Sequence, residues 1–298
     1  MADDRGPDAG DADGGAALER WLQTPQGRYL LAWEQARVDT VVADLFGFHA
    51  LQLGLGPLDA LRGNRMPHRW RVGDGPRAAG APAVSDVAAE GVADVVGDAA
   101  GDAAGDAPGP VALALMADFD ALPFPAHSID LVVLPHTLEF ARDAHHTLRE
   151  VERVLVPEGR VVIFGFNAAS LWGLRQRAGA ALHRLRPCGE GFLPREQRFI
   201  GYWRLRDWLR LLSFELEGGR FGCYAWPVAS PRWLCAQGWM DRTGDRWWPV
   251  FGAVYSLVAV KRVRGMRLVG LARDARRRSA GAPAVVANRH AGPQRERP

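Results

Sequence analysis

The sequence predicts an α/β fold built on a doubly wound, mostly parallel sheet. Short apolar runs at 111–119, 128–136 and 160–166 alternate with stretches of helical spacing such as 144–155. Strands separated by helices of this length are joined by βαβ crossovers, which make neighbouring strands parallel. The run Ile129–Leu134 is apolar on both faces, which is typical of a central strand in such a sheet.

The N-terminal part of the chain predicts helices ahead of the first strand. Residues 1–15 are acidic and glycine-rich, and we expect them to be disordered without a signal peptide. A helix is predicted from about Leu18, because apolar residues there follow helical spacing. A second amphipathic helix is predicted from Leu30 to Leu45.

The first strand is predicted to end in a glycine turn. Apolar residues alternate from Phe48 to Leu53, and Gly54 and Gly56 follow directly. Glycines at this position allow the backbone to approach a ligand closely. A dinucleotide-binding fingerprint would need a third glycine where Asp59 stands, so a nicotinamide enzyme is the weaker interpretation. The segment "RMPHRWRV" predicts the second strand.

Residues 74–109 differ sharply in composition from the rest of the chain. They contain seven acidic residues, one arginine and no aromatic residue, and they include the near-repeat "GDAAGDAAGDAPG". Such a stretch cannot bury enough apolar area to offset its ordering entropy. We therefore expect a disordered insertion within one domain that spans residues 16–262.

The second half of the chain predicts further helices and two final strands. Asp143 is placed to cap the helix at 144–155, and Pro157 and Gly159 are placed to stop it. Helices are predicted at 169–185 and 204–212. Strands are predicted within 214–226 and 250–262, with a tryptophan-rich connection between them.

Positive charge is concentrated at the C-terminal end. Residues 261–298 hold eleven Lys or Arg and two acidic residues, a net +9, whereas the whole chain carries +3. The first 260 residues therefore carry 3 − 9 = −6. A basic tail is typical of a nucleic-acid or membrane-surface contact, but Arg is plentiful throughout. We expect residues 263–298 to be a disordered tail whose charge reflects this bias.

Cysteine and hydropathy patterns exclude several classes of protein. The three cysteines form no CxxC pair, and no histidine lies at metal-ligand spacing, so neither a disulfide framework nor a zinc or other metal site is expected. The longest apolar run, Val250–Val260, is too short for a membrane-spanning helix of about 20 residues. A cytoplasmic protein without a membrane span is the resulting expectation.

Several motifs in succession resemble one enzyme family. A strand leads into Gly-x-Gly, then come "DFDALPFPAHSIDLVVLPHTLEF" and "LREVERVLVPEGRVVI". This order resembles class I S-adenosylmethionine-dependent methyltransferases of the methyltransferase type 11 kind, and "GFNxxSLWGLR" and "GDRWWPVFGAVY" suggest an uncharacterised bacterial subgroup. The motifs cover residues 46–167, and the order of elements continues to about 262. The resemblance implies a Rossmann-like, seven-stranded sheet with an antiparallel last strand.

The resemblance also assigns a cofactor site at the carboxyl ends of the strands. S-adenosylmethionine is the implied cofactor. The residues that match the family's cofactor-binding positions are Gln52, Leu53, Gly54, Gly56, Asp74, Asp118, Phe119, Leu134, Pro135 and His136. Asp118 matches the residue that accepts from the adenine amino group, and His136 is also a weak candidate for a catalytic base.

The sequence departs from the family pattern at three of these positions. Gln52 stands where an acidic residue is usual, Leu58 replaces a third glycine, and Asp74 is a poor match because it opens the insertion. A neutral Gln52 would weaken cofactor binding by on the order of 1 kcal/mol.

Other residues allow two interpretations each. His136 is either an active-site residue or a solvated strand end, and Asp118 either binds adenine or caps a turn. Glu139 either touches substrate or begins a helix, and Trp172 belongs either to the core or to a lid. The tryptophans between 226 and 248 are either core or a stacking platform for substrate.

Methyl transfer to an unidentified small-molecule acceptor is the function that the resemblance implies. A catalytically degenerate member that only binds is the first alternative, and a nicotinamide-dependent oxidoreductase is another, which predicts a parallel last strand. The hypothesis of a nucleic-acid methylase is supported only by the basic tail. The acceptor and the oligomeric state do not follow from the sequence.

Overall fold

The protein forms a seven-stranded mixed sheet with helices on both faces. The structure, a computed structural model, describes residues 9–74, 114–185, 193, 199–226 and 238–263. The strands have the order β3-β2-β1-β4-β5-β7-β6 across the sheet. Their bounds are His49–Leu53 (β1), His68–Asp74 (β2), Ala114–Ala117 (β3), Ile129–Pro135 (β4), Leu155–Phe166 (β5), Phe214–Gly222 (β6) and Val254–Lys261 (β7).

The helices precede, connect and follow the strands in the predicted α/β order. They are Ala9–Leu22 (α1), Pro25–Val42 (α2), Thr137–Phe140 (α3), Ala144–Val154 (α4), Leu171–Leu185 (α5), Tyr202–Leu211 (α6) and Gly238–Trp247 (α7), with a 3₁₀ helix, η1, at Pro249–Phe251. Asp143 caps α4 as predicted, because its side chain accepts from the backbone amides of His145 and His146.

The directions of the strands confirm the mostly parallel sheet with an antiparallel last strand. β1, β2, β3, β4 and β5 pair in parallel. β7 lies between β5 and β6 and is antiparallel to both. The oxidoreductase alternative predicted a parallel last strand and is therefore wrong on this point.

The core consists of one apolar layer on each face of the sheet. On one face, Leu148 and Val151 of α4 and Leu205 of α6 pack against inward residues of the strands. On the other face, Val38 and Val42 of α2 pack against Leu131, Val133 and their neighbours. The alternation of side chains along each strand divides the apolar residues between the two layers.

The first helix begins earlier than the sequence indicates. α1 starts at Ala9, so residues 9–15 are helical, contrary to the expected disorder of residues 1–15. Leu18 and Leu22 are buried against Phe166 and Trp172, and this tertiary packing stabilises a helix that propensity alone does not.

The carboxyl ends of five strands lie at one edge of the sheet, together with the connections that follow β5 and β6. Asp74 pairs with Ala117, so the ends of β2 and β3 are adjacent. Phe166 at the end of β5 and Gly222 at the end of β6 both pair with Val254, the first residue of β7. We call this side the carboxyl edge.

Two predicted segments cannot be assessed. Most of the insertion (75–113) and most of the basic tail (264–298) lie outside the described residues. Within the described ranges, every helix is too short or too polar to cross a lipid bilayer.

Gly222 gives a test of the packing between β6 and α2. A Cβ atom on Gly222 would overlap the indole ring of Trp33, whereas one on Gly218 in the same strand would meet no atom within 4 Å. We expect Gly222→Ala to lower the free energy of unfolding by about 1–3 kcal/mol through overpacking. Gly218→Ala is the control, with an expected change within about 0.5 kcal/mol. Urea denaturation measures both, and equal effects would contradict the assigned contact.

Candidate cofactor site

The sheet has a topological switch point between β1 and β4. The chain proceeds outward from β1 to β2 and β3, then returns to place β4 on the other side of β1. In open α/β sheets the crevice outside the carboxyl ends of the strands at such a point is the usual ligand site. The residues that follow β1 and β4 therefore form the candidate site.

The turn after β1 has an unusual backbone. Gly54 has a φ of 73° and Leu55 a φ of 38°, so two consecutive residues are left-handed. Glycine adopts this conformation without steric cost, which explains its presence at position 54. The Gly54 amide donates to the carbonyl of Val72 in β2 (2.7 Å), so the turn curls over the neighbouring strand.

The side chain of Gln52 lies inside this turn and forms hydrogen bonds with its backbone. Its side chain is fully buried, and Nε2 lies within hydrogen-bonding distance of the carbonyl oxygens of Gly54, Leu55 and Leu58, with the shortest contact 2.7 Å to Leu58. Its Oε1 accepts from the Ala60 amide at 3.0 Å. The side-chain amide is thus committed to the turn. The structure contradicts the assignment of Gln52 as a direct cofactor ligand.

Two aspartates stand exposed at neighbouring strand ends. Asp74 ends β2, and Asp118 directly follows Ala117 at the end of β3. Asp118 accepts from the Asp120 amide through Oδ1 (3.0 Å), so the turn-capping interpretation is correct for one oxygen. The exposed carboxylate also faces solvent at the carboxyl edge, which leaves the ligand-binding interpretation open.

Phe119 and Thr137 both lie next to Gly54 in the glycine turn. A Cβ atom on Gly54 would lie 3.3 Å from Thr137 Oγ1 and 3.6 Å from Phe119 Cζ. Thr137 Oγ1 donates to the Leu53 carbonyl at 2.6 Å, which joins the end of β1 to the residues after β4. Phe119 is buried, with its ring beside the turn.

Helix α1 reaches the glycine turn as well. The Gly56 amide donates to Glu19 Oε1 at 3.3 Å, and both residues are exposed. Trp21 on the same helix packs edge-on against Phe166, with ring centroids 6.0 Å apart. α1 therefore spans the carboxyl edge from the turn after β1 to the end of β5.

Leu53, Leu134 and Pro135 lie at the strand ends as predicted, but their side chains are buried. Leu53 and Leu134 have no exposed surface and belong to the core. Their side chains are therefore closed to a ligand, and a contact of these positions with the cofactor through the backbone stays a prediction.

His136 lies in a buried ionic cluster. Its Nε2 is 2.7 Å from Glu34 Oε1 of α2, and its Nδ1 is 3.1 Å from Glu139 Oε2 of α3. Glu139 Oε1 also accepts from the Phe166 amide at 2.5 Å. The cluster of Glu34, His136 and Glu139 thus connects α2, the end of β4 and the end of β5.

The cluster holds His136 as an imidazolium. Burial by itself lowers the pKa of His136, but the two carboxylates outweigh this effect and raise the pKa to about 10. Burial raises the pKa of Glu139. A buried, charged imidazole with both nitrogens engaged cannot accept a proton. The side chain of His136 is therefore unsuited to act as a catalytic base or as a ligand group, and it is not a solvated strand end. A cofactor contact through the backbone at this position stays a prediction.

The remaining alternatives are decided by burial. Glu139 belongs to the short helix α3. Trp172 is buried, and its Nε1 donates to the Ala225 carbonyl at 2.8 Å, so it belongs to the core.

Burial raises the pKa of the Cys223 thiol well above its ordinary value, so this cysteine is not a reactive thiolate. Among the residues with assigned positions, no group of three or more His, Cys, Asp or Glu could hold a metal ion.

The groups at the crevice fit S-adenosylmethionine. Asp74 and Asp118 are exposed, and carboxylate oxygens suit hydroxyl and amino groups of a ligand. Glycine suits position 54, because a larger residue would be strained at its positive φ. These residues would hold the cofactor, which supplies an electrophilic methyl group when it is bound.

Sequence reasoning missed Glu19, Glu34 and Thr137. Glu34 did carry a signal, since it lies four residues from both Leu30 and Val38 on the buried face of α2. A charged residue at such a position indicates a buried partner. Glu19 carried no signal, because its contact with Gly56 joins residues 37 positions apart.

Replacement of Gln52 by the family's acidic residue tests its role. In Gln52→Glu, a buried carboxylate would face the three carbonyl oxygens without a donor. We expect the free energy of unfolding to fall by about 3 kcal/mol or more. Chemical denaturation measures this, with the exposed Gln23→Glu as control. An equal or higher stability of Gln52→Glu would contradict the assigned hydrogen bonds.

The ionic cluster predicts a pH-dependent effect of His136→Gln. Because the folded pKa of His136 is about 10 and the unfolded pKa about 6.5, the stabilisation is fully present below pH 6.5 and is lost as the pH rises through 10. We expect the variant to be less stable by about 3 kcal/mol or more near pH 6, and by much less near pH 10. The exposed His146→Gln is the control in denaturation at both pH values. A pH-independent difference would refute the charged cluster.

Comparisons with known proteins find a methyltransferase domain in part of the chain. Residues 89–163 match the family described as "Methyltransferase domain". The uncharacterised protein YafS of Escherichia coli K12 is 40% identical over 113 residues, which are 38% of this chain and 44% of YafS. Malonyl-[acyl-carrier protein] O-methyltransferase of Halorhodospira halophila is 42% identical over 59 residues, 20% of each chain. The chain thus spans less than half the length of either relative.

Solved structures with similar overall shape share little sequence. The partner of the Trm112 methyltransferase activator in a complex from Haloferax volcanii is 17% identical, with a TM-score of 0.47, over 85% of this chain and 99% of that one. An S-adenosylmethionine-dependent methyltransferase of Mesorhizobium loti is 15% identical, with a TM-score of 0.43, over 76% and 96%. These overlaps are too loose to transfer any detail of a site.

The residues that match the methyltransferase domain can be located in the sheet. β3, β4, the crossover to β5 and most of β5 itself lie within the matched residues, and the sheet around them has seven strands with an antiparallel last strand. Residues 89–163 are therefore similar to a methyltransferase domain, and S-adenosylmethionine is the cofactor that this match implies.

Proposed function

We propose that the protein transfers a methyl group from S-adenosylmethionine to a small-molecule acceptor in the cytoplasm. The observation that carries the proposal is the pair of exposed aspartates, Asp74 and Asp118, beside a left-handed glycine turn at the switch point of the sheet. Carboxylates at these positions suit the ribose hydroxyls and the adenine amino group.

The residues at the crevice support positioning rather than acid–base chemistry. Methyl transfer from a sulfonium is an in-line displacement, so the main requirement is to align the acceptor with the methyl carbon and to exclude water. α1 lies across the carboxyl edge and contributes to this exclusion. Because His136 is committed to its carboxylate partners, the proposal favours an acceptor that attacks without prior deprotonation by that residue.

A binding protein of the same fold is the second candidate. It is favoured by the commitment of Gln52 and His136 to internal contacts, which removes two of the polar groups that the resemblance implied. This candidate predicts cofactor binding without methyl transfer. A nucleic-acid methylase rests on the basic tail alone, and no contact within the described residues favours it.

Asp118→Asn tests cofactor binding. The amide oxygen can still accept from the Asp120 amide, so the turn is retained, while one acceptor and the negative charge are lost. We expect the Kd for S-adenosylmethionine to rise about tenfold or more, since hydrogen bonds to charged groups contribute about 1.5–3 kcal/mol. Calorimetric titration measures the change, with the exposed Asp207→Asn on α6 as control. An unchanged Kd would contradict the assigned adenine contact.

Transfer itself needs a separate assay. Labelled-methyl transfer from S-adenosylmethionine into a cell extract should yield a labelled small molecule with the wild type and less of it with Asp118→Asn. Cofactor binding without any labelled product would favour the binding protein.

A further inference from the structure

Thr137 joins two strands at the switch point through one buried hydroxyl group. Its side chain is buried, and Oγ1 donates to the carbonyl oxygen of Leu53 at 2.6 Å. Oγ1 also lies 3.5 Å from the carbonyl oxygen of Pro135, but a hydroxyl group has one proton, and the shorter contact takes it. The hydrogen bond therefore leads from the residues after β4 to the last residue of β1.

This hydrogen bond fixes one end of a peptide group whose other end is also fixed. The carbonyl of Leu53 and the amide of Gly54 belong to the same planar peptide group, and the amide donates to the carbonyl of Val72 in β2 at 2.7 Å. β2 and β4 pair with opposite sides of β1. The Leu53–Gly54 peptide is therefore held from both sides, and the Thr137 hydroxyl supplies the bond on the side of β4.

The Leu53–Gly54 peptide leads directly into the left-handed turn. Gly54 and Leu55 have positive φ, so the course of the turn depends on the plane of the peptide from which it starts. A Cβ atom on Gly54 would lie only 3.3 Å from Thr137 Oγ1, so the hydroxyl and the turn are in close contact. A rotation of this peptide would move the backbone of the turn after it.

The position of Thr137 is fixed by the buried ionic cluster. Thr137 directly follows His136, which has a φ of 57° and contacts Glu34 and Glu139 through its two ring nitrogens. The carbonyl of Thr137 accepts from the Ala141 amide at 3.0 Å. The hydroxyl is thus held before any ligand binds, and this preorganisation is what a precise binding site requires.

Thr137 and the two exposed aspartates lie on different sides of the crevice. Asp74 and Asp118 stand at the ends of β2 and β3, whereas Thr137 follows β4. Neighbouring strands are about 4.8 Å apart, so β4 lies about 10 Å from β2 and about 14 Å from β3. A nucleoside held by the two carboxylates leaves the remainder of its ligand on the side of β1 and β4. In S-adenosylmethionine this remainder is the amino-acid part.

We propose that Thr137 is a positioning residue for the amino-acid part of S-adenosylmethionine. Its hydroxyl group fixes the Leu53–Gly54 peptide, and with it the turn against which this part of the cofactor lies. Thr137 acts through the backbone of the turn and does not itself touch the cofactor. The inference rests on the proposed function, because it needs S-adenosylmethionine in the crevice.

Two variants of Thr137 and two ligands test the inference. Thr137→Val removes the hydroxyl group and keeps the shape of the side chain, whereas Thr137→Ser keeps the hydroxyl group. The ligands are S-adenosylmethionine and 5′-methylthioadenosine, which contains the nucleoside but lacks the amino-acid part. Calorimetric titration of the full chain measures both Kd values at a temperature at which circular dichroism shows each variant to be folded.

We expect a selective effect of Thr137→Val. The Kd for S-adenosylmethionine should rise about tenfold, while the Kd for 5′-methylthioadenosine should change by less than about twofold. Thr137→Ser should stay within about twofold of the wild type for both ligands. If Thr137→Val does not fold, Thr137→Cys replaces it with the same expected pattern, because a thiol is a much weaker donor.

Ser170→Ala is the matched control. Ser170 is buried at the start of α5, and its Oγ donates to the carbonyl of Asn167 at 2.6 Å, so the variant loses the same kind of hydrogen bond away from the turn. It should lose stability without a change in either Kd. Asp118→Asn should show a third pattern, with both Kd values raised, because both ligands contain adenine.

The outcomes separate this inference from the proposed function. Binding of S-adenosylmethionine by the wild type, with an unchanged Kd in Thr137→Val, overturns only the role of Thr137. An equal loss of both ligands in Thr137→Val, a Thr137→Ser variant that behaves like Thr137→Val, or a selective loss in Ser170→Ala also overturns this role. A wild type that binds neither ligand overturns the proposed function, and this inference with it.

Discussion

The candidate site depends on how the protein satisfies the backbone carbonyls of the turn after β1. Consecutive left-handed residues turn the carbonyls of Gly54 and Leu55 inward, away from solvent. The side-chain amide of Gln52 is the donor to these oxygens, and it also donates to the carbonyl oxygen of Leu58, six residues further along the chain. A carboxylate could not donate to them, so this turn requires a neutral amide side chain at position 52. Gln52 thus has a structural role in this turn.

A second buried polar system fixes the other side of the crevice. His136 has a left-handed backbone and joins Glu34 on α2 to Glu139 on α3. Buried charges need close partners, because desolvation is costly and only good geometry offsets it. The cluster therefore fixes the position of α2 relative to the ends of β4 and β5. Because both ring nitrogens of His136 contact carboxylates in this cluster, neither is available to act as a base.

The exposed groups at the carboxyl edge form two chemically different parts. Near β1, β2 and β3 the edge presents the carboxylates of Asp74 and Asp118 beside a backbone turn, which suits a polar, nucleoside-like ligand. Beyond β5 and β6 it presents tryptophan, phenylalanine and leucine, with arginines on α5. α1 lies over the region between these two parts, with Glu19 at the glycine turn and Trp21 at Phe166.

The sequence by itself determined the α/β architecture, the positions of the strands and the glycine turn, and the place of Asp118 at a strand end. These features are local, because side-chain alternation, helical spacing and turn residues are properties of neighbouring residues. Only the tertiary structure decided what the polar residues at the strand ends do. Glu34 meets His136 across 102 positions and Glu19 meets Gly56 across 37, and no local pattern specifies such a pairing. The direction of a buried polar side chain is set by the partner that satisfies it, and that partner is brought near only when the helices pack on the sheet.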